Sequence, residues 1–175
     1  MLNFHQIDNK FCLSGGWTNI EKDALWLKIN NIKAVLELQF TPDFGPAYTQ
    51  LFEYIKEELS KSNIEYFAVP MYDGPNSDIE SIFDTTYEKL QEWEHQFNKR
   101  FEKILVKCGV GVSRSVATLI HYYCVRDRLT YDEALFRVQR ADYSGELLPI
   151  SIERFFDLYL RTKFPEYESA FGEKE

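Results

Sequence analysis

The chain has 175 residues, 45% of them hydrophobic and 16% aromatic, enough for one packed domain and too apolar for a disordered chain. A formal charge of −8 and a pI near 5.0 weigh against nucleic acid or an anionic membrane as partner. Three cysteines without a CxxC pair or Cys/His cluster give no zinc pattern, and no apolar run nears the ~20 residues that span a bilayer.

The first stretch, QIDNKFCLSG, reads as two short strands about an Asp8-Asn9 turn. Thr18 and Glu21 then stand in capping-box spacing before a helix with Ala24, Leu25 and Ile29. IKAVLELQF is a dense, β-branched run of strand length, expected to be buried on both faces. Pro46 can open a second helix, with Leu51, Tyr54, Ile55 and Leu59 at helical spacing. IEYFAV is strand-like and MYDGPNSD a loop. Ser77 and Glu80 form another capping box before an aromatic-rich helical face from Ile79 to Phe97. FEKILVK is a strand and SVATLIHYYCVRD a helix. Thr130 and Glu133 cap the next helix, and Ser151 can cap the last.

Alternation of strands and helices predicts an α/β domain, a parallel-rich sheet of about four to five strands flanked by helices. The expected domain covers residues 1–163, with a short, frayed acidic tail over 164–175. The start, MLNFHQIDNKF, has no basic-then-apolar pattern of a secretory signal. A cytoplasmic monomer without a cofactor is the expectation.

The segment KCGVGVSRS lies between the fifth strand run and the helix that follows. In an α/β fold, ligands bind where strands feed helices. A helix starting near Arg114 presents free N–H groups and a partial positive charge, and a loop curling toward it makes an anion cradle. Gly109 and Gly111 permit the tight backbone, and Val110 and Val112 are expected to turn outward into the core. Cys108 at the foot of the helix, near Arg114, should have a lowered pKa and raised nucleophilicity. Arg114 offers a fork that matches two phosphate oxygens, and Ser115 can donate to the sulfur. Cysteine and arginine six residues apart are a weak signal alone. With two loop glycines, Ser113 and Ser115 beside the arginine, a strand before and a helix after, the combination is specific.

These residues resemble the C-x5-R-S phosphate-binding loop of the cysteine-dependent protein phosphatases, closest to the dual-specificity group. NNIKAVLEL resembles the family's early buried strand, and RDRLTYDEALFRVQRAD the helices after its loop. The resemblance implies a phosphocysteine intermediate on Cys108, phosphate held by Gly109, Val110, Gly111, Val112, Ser113 and Arg114, and no metal. It also implies an aspartate on a loop some thirty residues upstream as proton donor and then base. Asp73 in VPMYDGPNSDIE occupies that place, with Asp78 as its rival.

Two departures stand out. The family has histidine before the cysteine where this chain has Lys107, whose positive charge can assist the thiolate but lacks a ring acceptor; slower turnover is expected. The family's Arg-Pro step and Asn-containing turn are replaced by RADYSGELLPISIERFF, and no residue is assigned to that role. The bland readings are a core histidine for His121, core cysteines for Cys12 and Cys124, or a redox partner of Cys108 among them. Absence of Lys and Arg from Gly109 to Ser113 favours a phosphorylated protein substrate over inositol lipids or RNA ends. A phosphopeptide-reading module without turnover and a sulfurtransferase-type loop are the other classes. The last would not need Asp73.

Overall fold

A computed structural model describes residues 4–39, 45–76, 78–140 and 147–166. Five strands and six helices follow in the order β1 (Phe4–Gln6), β2 (Phe11–Ser14), α1 (Ile20–Ile29), β3 (Ile32–Gln39), α2 (Gly45–Lys61), β4 (Glu65–Pro70), α3 (Ile79–Gln96), β5 (Lys103–Lys107), α4 (Arg114–Asp127), α5 (Tyr131–Gln139) and α6 (Arg154–Lys163). The sheet order is β1-β2-β5-β3-β4. β2, β5, β3 and β4 are mutually parallel, and only β1 runs antiparallel, on β2. This is the parallel-rich α/β sheet expected from the alternating pattern.

The hydrophobic run of β3 is buried on both faces because helices cover both. On one side Val35 and Leu105 pack beneath Ala24 and Leu27 of α1 and Ile55 and Leu59 of α2. On the other, Leu36, Leu38, Ile104 and Val106 meet α3, α4, α5 and α6 through Phe83, Leu119, Ala134 and Phe156. α4 is the central helix: every residue from Ser115 to Cys124 is buried. Its Tyr123 hydroxyl donates to Asp8 Oδ2 at 2.7 Å, tying the helix to the β1–β2 turn. Asp8 Oδ1 meanwhile accepts from the Lys10 and Phe11 N–H groups, the local bond that makes Asp a turn former.

The helix starts are a mixed outcome. Thr130 and Glu133 form the full capping box, and Pro46 stands in the first turn of α2. α1 is capped by Asn19, whose Oδ1 accepts from Lys22 N at 2.9 Å; Thr18 instead donates its hydroxyl to Asp23. α6 is capped by Glu153 rather than Ser151. Ser77 lies outside the described residues, and Asp78, preceding α3, makes no side-chain cap bond. Ala24 of α1 is buried, but Leu25 and Ile29 are exposed, and Leu27 takes the core position instead. Phe164, the first residue of the expected tail 164–175, follows α6 and its carbonyl accepts from Tyr131 N–H; residues 167–175 of that tail lie outside the described residues. No described helix is long and apolar enough to cross a membrane.

Candidate active site

β5 ends at Lys107 and α4 begins at Arg114, so the loop between them lies at the carboxyl end of a central parallel strand. Cys108 is its first residue and is buried. Its Sγ accepts from the Gly111 N–H at 3.2 Å and lies 3.3 Å from Ser115 Oγ. Burial alone pushes the thiol pKa up. The Ser115 hydroxyl and N–H, the Gly111 N–H and the Arg114 charge outweigh that, and the net pKa lies below the ordinary value. Cys12 and Cys124 show burial without such donors, and their thiols are pushed up to about 12. Cys12 belongs to the core under α1 and α2, on the sheet face opposite Cys108.

Gly111 has φ +85°, and a Cβ there would lie 2.7 Å from the Ser14 carbonyl carbon. Glycine is thus demanded twice, by backbone conformation and by close approach. The wall it touches is the Ser14–Gly16 segment after β2. Cys108 N–H donates to Ser14 O at 3.3 Å and Gly16 N–H to Gly109 O at 2.8 Å. A Cβ on Gly15 would come within 2.9 Å of Val110 O. Val110 itself does not turn into the core as expected: its side chain is 66% exposed at the pocket rim, because the wall takes the space behind the loop.

Arg114 Nη1 donates to Met71 O at 3.2 Å, and its Nε is buried with no partner among the described residues. A buried guanidinium N–H available to donate beside a low-pKa thiol suits an oxyanion ligand. Asp73 Oδ1 accepts from Ser113 Oγ at 2.8 Å, which brings the carboxylate over the loop. Asn76 winds this segment: its side chain accepts from Tyr72 N–H and donates to the Tyr72 and Gly74 carbonyls. Asp73, Cys108, Val110, Val112, Ser113, Arg114, Ser151 and Glu153 line a pocket of about 280 Å³. Asp78 is not among them.

The structure therefore brings together Cys108, the loop residues, Arg114, Ser115 and Asp73. Reading the sequence alone missed Gly15, Gly16, Asn76 and Glu153. Glu153 N–H donates to Ser113 Oγ at 3.1 Å, and Ser151 N–H to Val112 O at 3.1 Å. The paired glycines directly after a strand were a usable signal; nothing local marked Glu153. His121 is a packed core residue, stacked on Phe83 at 4.7 Å. Among the described residues no group of His, Cys, Asp or Glu is arranged to hold a metal ion.

A cysteine in an anion-binding loop between a parallel strand and a buried helix, with a carboxylate over it, defines the architecture of the cysteine-dependent phosphatases. Residues 17–146 match the model of the dual specificity phosphatase catalytic domain, and the chain belongs to that family. A putative tyrosine-protein phosphatase of Amsacta moorei entomopoxvirus is 29% identical over 137 residues, 76% of this chain and 73% of that protein. The protein-tyrosine-phosphatase MKP1 of Arabidopsis thaliana is 28% identical over 126 residues, 72% of this chain but 14% of that protein. A probable dual specificity protein phosphatase of Dictyostelium discoideum matches over 19% of its length, so the chain spans only a small part of these last two relatives. The crystal structure of Cydia pomonella PTP-2 phosphatase shares the fold with a TM-score of 0.69 at 19% identity, covering 93% of this chain and 91% of that one.

Proposed function

We propose that the protein hydrolyses phosphotyrosine, and also phosphoserine and phosphothreonine, in phosphorylated proteins through a phosphocysteine intermediate on Cys108. The observation that carries the reading is the Cys108 sulfur, held by the Gly111 N–H and the Ser115 hydroxyl at the foot of a pocket where Arg114 Nε has no partner among the described residues. In the first step the thiolate attacks phosphorus. The P–S bond forms as the P–O bond to the substrate breaks, and Asp73 gives its proton to the leaving oxygen. The Arg114 fork and the loop N–H groups hold the equatorial oxygens where charge builds. In the second step Asp73, now a carboxylate, takes a proton from water as that water attacks phosphorus, and the thiolate leaves toward Ser115.

The pocket wall supports a protein substrate. It adds two carboxylates, Asp73 and Glu153, and an apolar Val110 to a single cation, Arg114, a balance suited to one phosphoryl group and unsuited to a polyanion.

The test is hydrolysis of a small aryl phosphate from pH 5 to 8 with chelator present. Cys108→Ser should abolish turnover, and Asp73→Asn should lower it by roughly 10²-fold or more. Undiminished turnover in Asp73→Asn would favour chemistry without a general acid. A folded wild type that holds phosphotyrosine peptides without hydrolysing them would replace the enzyme by a phosphate-reading protein.

A further inference from the structure

Lys107, directly before the nucleophile, is fully buried, and so is the carboxylate it meets. Its Nζ lies 2.6 Å from Glu37 Oε1, and the two residues are register partners on β5 and β3. A buried ion pair persists only where its other hydrogen-bonding capacity is filled. Here it is filled. Trp17 Nε1 donates to both Glu37 oxygens at 3.1 and 3.0 Å, the Tyr66 hydroxyl donates to Oε2 at 2.6 Å, and the Gln39 amide donates to Oε1. The Lys107 ammonium also sits 4.4 Å from the centre of the Trp17 ring.

Trp17 connects this cluster to the site. It follows Ser14, Gly15 and Gly16, the backbone wall behind Cys108, Gly109 and Gly111. Around Lys107 the charged groups are Glu37 from β3, Asp23 from α1 and Cys108 itself, with Glu37 acting most strongly; at the sulfur the largest stabilising groups are Ser115, Gly111 and Arg114. Lys107 can act on the site in two ways that differ in kind: by its field at the sulfur, or by fixing where the wall stands.

We propose that Lys107 and Glu37 are positioning residues for the phosphate loop: the pair clamps Trp17, Trp17 fixes the Ser14–Gly16 wall, and the wall sets the loop, while the Lys107 charge is spent on Glu37. The inference rests on the reading of Cys108 as a nucleophile in an oxyanion-binding loop. It reverses the expectation that this lysine assists the thiolate electrostatically.

The experiment uses the full chain and needs no turnover. Alkylation of Cys108 by iodoacetamide, read by mass spectrometry of its peptide across pH 5 to 9, titrates the thiolate. Protection by inorganic phosphate gives the oxyanion affinity. The variants are Trp17→Phe, which keeps an aromatic ring but removes the donor, and the charge-neutral double variant Lys107→Met with Glu37→Gln. Thermal melting checks that each is folded, and Trp17→Phe carries the test if the double variant is not. Both variants should need about tenfold to a hundredfold more phosphate for protection, the cost of a loop displaced by a fraction of an ångström. The pH of half-maximal alkylation should stay at the wild-type value. A rise of about one pH unit in the double variant would show that Lys107 works through its charge and overturn the proposal. Wild-type phosphate affinity in Trp17→Phe would overturn it too, leaving a cluster that only stabilises the fold. Absence of phosphate protection in the wild type is a separate failure, that of the nucleophile reading itself.

Discussion

Ser115 is fully buried one residue into α4, and its hydroxyl is 3.3 Å from the Cys108 sulfur. It opposes the burial that would otherwise keep the thiol protonated. In Ser115→Ala that burial acts with less opposition, so the Cys108 pKa moves up and less thiolate exists at a given acidic pH. The acid limb of kcat/KM should therefore shift to higher pH. The plateau of kcat should also fall, by roughly tenfold or more, because a hydrogen bond to an ionised group contributes about 1.5–3 kcal/mol and in the proposed mechanism it serves the departing sulfur. A pH–rate profile decides: an unmoved acid limb would remove Ser115 from the chemistry. Of the candidate site, the grouping of Cys108, Arg114 and Ser115 was legible in the sequence because the three stand in one short stretch of chain. Glu153 was not, because it acts from a distant segment through a backbone N–H that leaves no spacing rule behind; Gly16 carried only the mark of paired glycines after a strand, and Asn76 works through side-chain bonds to Tyr72 and Gly74 inside its own loop.

At the scale of elements, α4 shows what periodicity conveys and what it hides. Its apolar stretch predicted a buried helix, and α3, α5 and α6 bury it. Its His121 is 1% exposed, stacked on Phe83 and met edge-on by Tyr87 and Phe164, and neither ring nitrogen has a hydrogen-bond partner among the described residues. Burial, with help from Lys163, pulls its pKa down from 6.5 to about 3. The unfolded chain thus gains a proton near pH 6.5 and the folded protein only near 3. Stability is full above about 6.5 and drains away by about 1.4 kcal/mol per pH unit below it, levelling off near 3. Between pH 6.5 and 5, before carboxylates titrate, Tm should fall in the wild type and stay nearly flat in His121→Phe. An equally steep fall in that variant would place the acid sensitivity elsewhere. Helix starts were read one residue or more off: at α1 the spacing of Thr18 and Glu21 pointed to Thr18 where Asn19 caps the helix, and at α6 Glu153 caps in place of Ser151; among the described residues only Thr130 satisfied both halves of the box. For α1 the helical stripe was set by Ala24 and Leu27, with Leu25 and Ile29 left to solvent.

At the scale of the whole molecule, the parallel sheet was legible because alternation of strand and helix permits few other arrangements. Its strand order was not, since β2 reaches β5 across most of the chain. The charge of −8 belongs to this scale as well. A phosphopeptide approaching the pocket meets the field of an acidic body, with Asp73 and Glu153 at the entrance. For an acidic phosphopeptide, kcat/KM should rise as ionic strength goes from about 0.01 to 0.15 M, where the screening length falls from about 30 to 8 Å. For one with lysines beside the phosphorylated residue it should fall. Equal salt dependence for the two would show that the overall charge does not reach the encounter.

The wall behind the phosphate loop fixes the smallest portion of this chain able to do its work. Ser14 supplies a carbonyl to Cys108 and Gly16 an N–H to Gly109, and the stretch before α6 supplies N–H groups to Val112 and Ser113. A version trimmed to begin at Trp17 would keep every residue of the C-x5-R-S loop and still lose its backing. It would also strip β2 from β5, baring a hydrophobic strand edge to its neighbours in solution. Anyone shortening the protein for expression would then meet an aggregate or an unshaped loop, and could mistake either one for a dead enzyme.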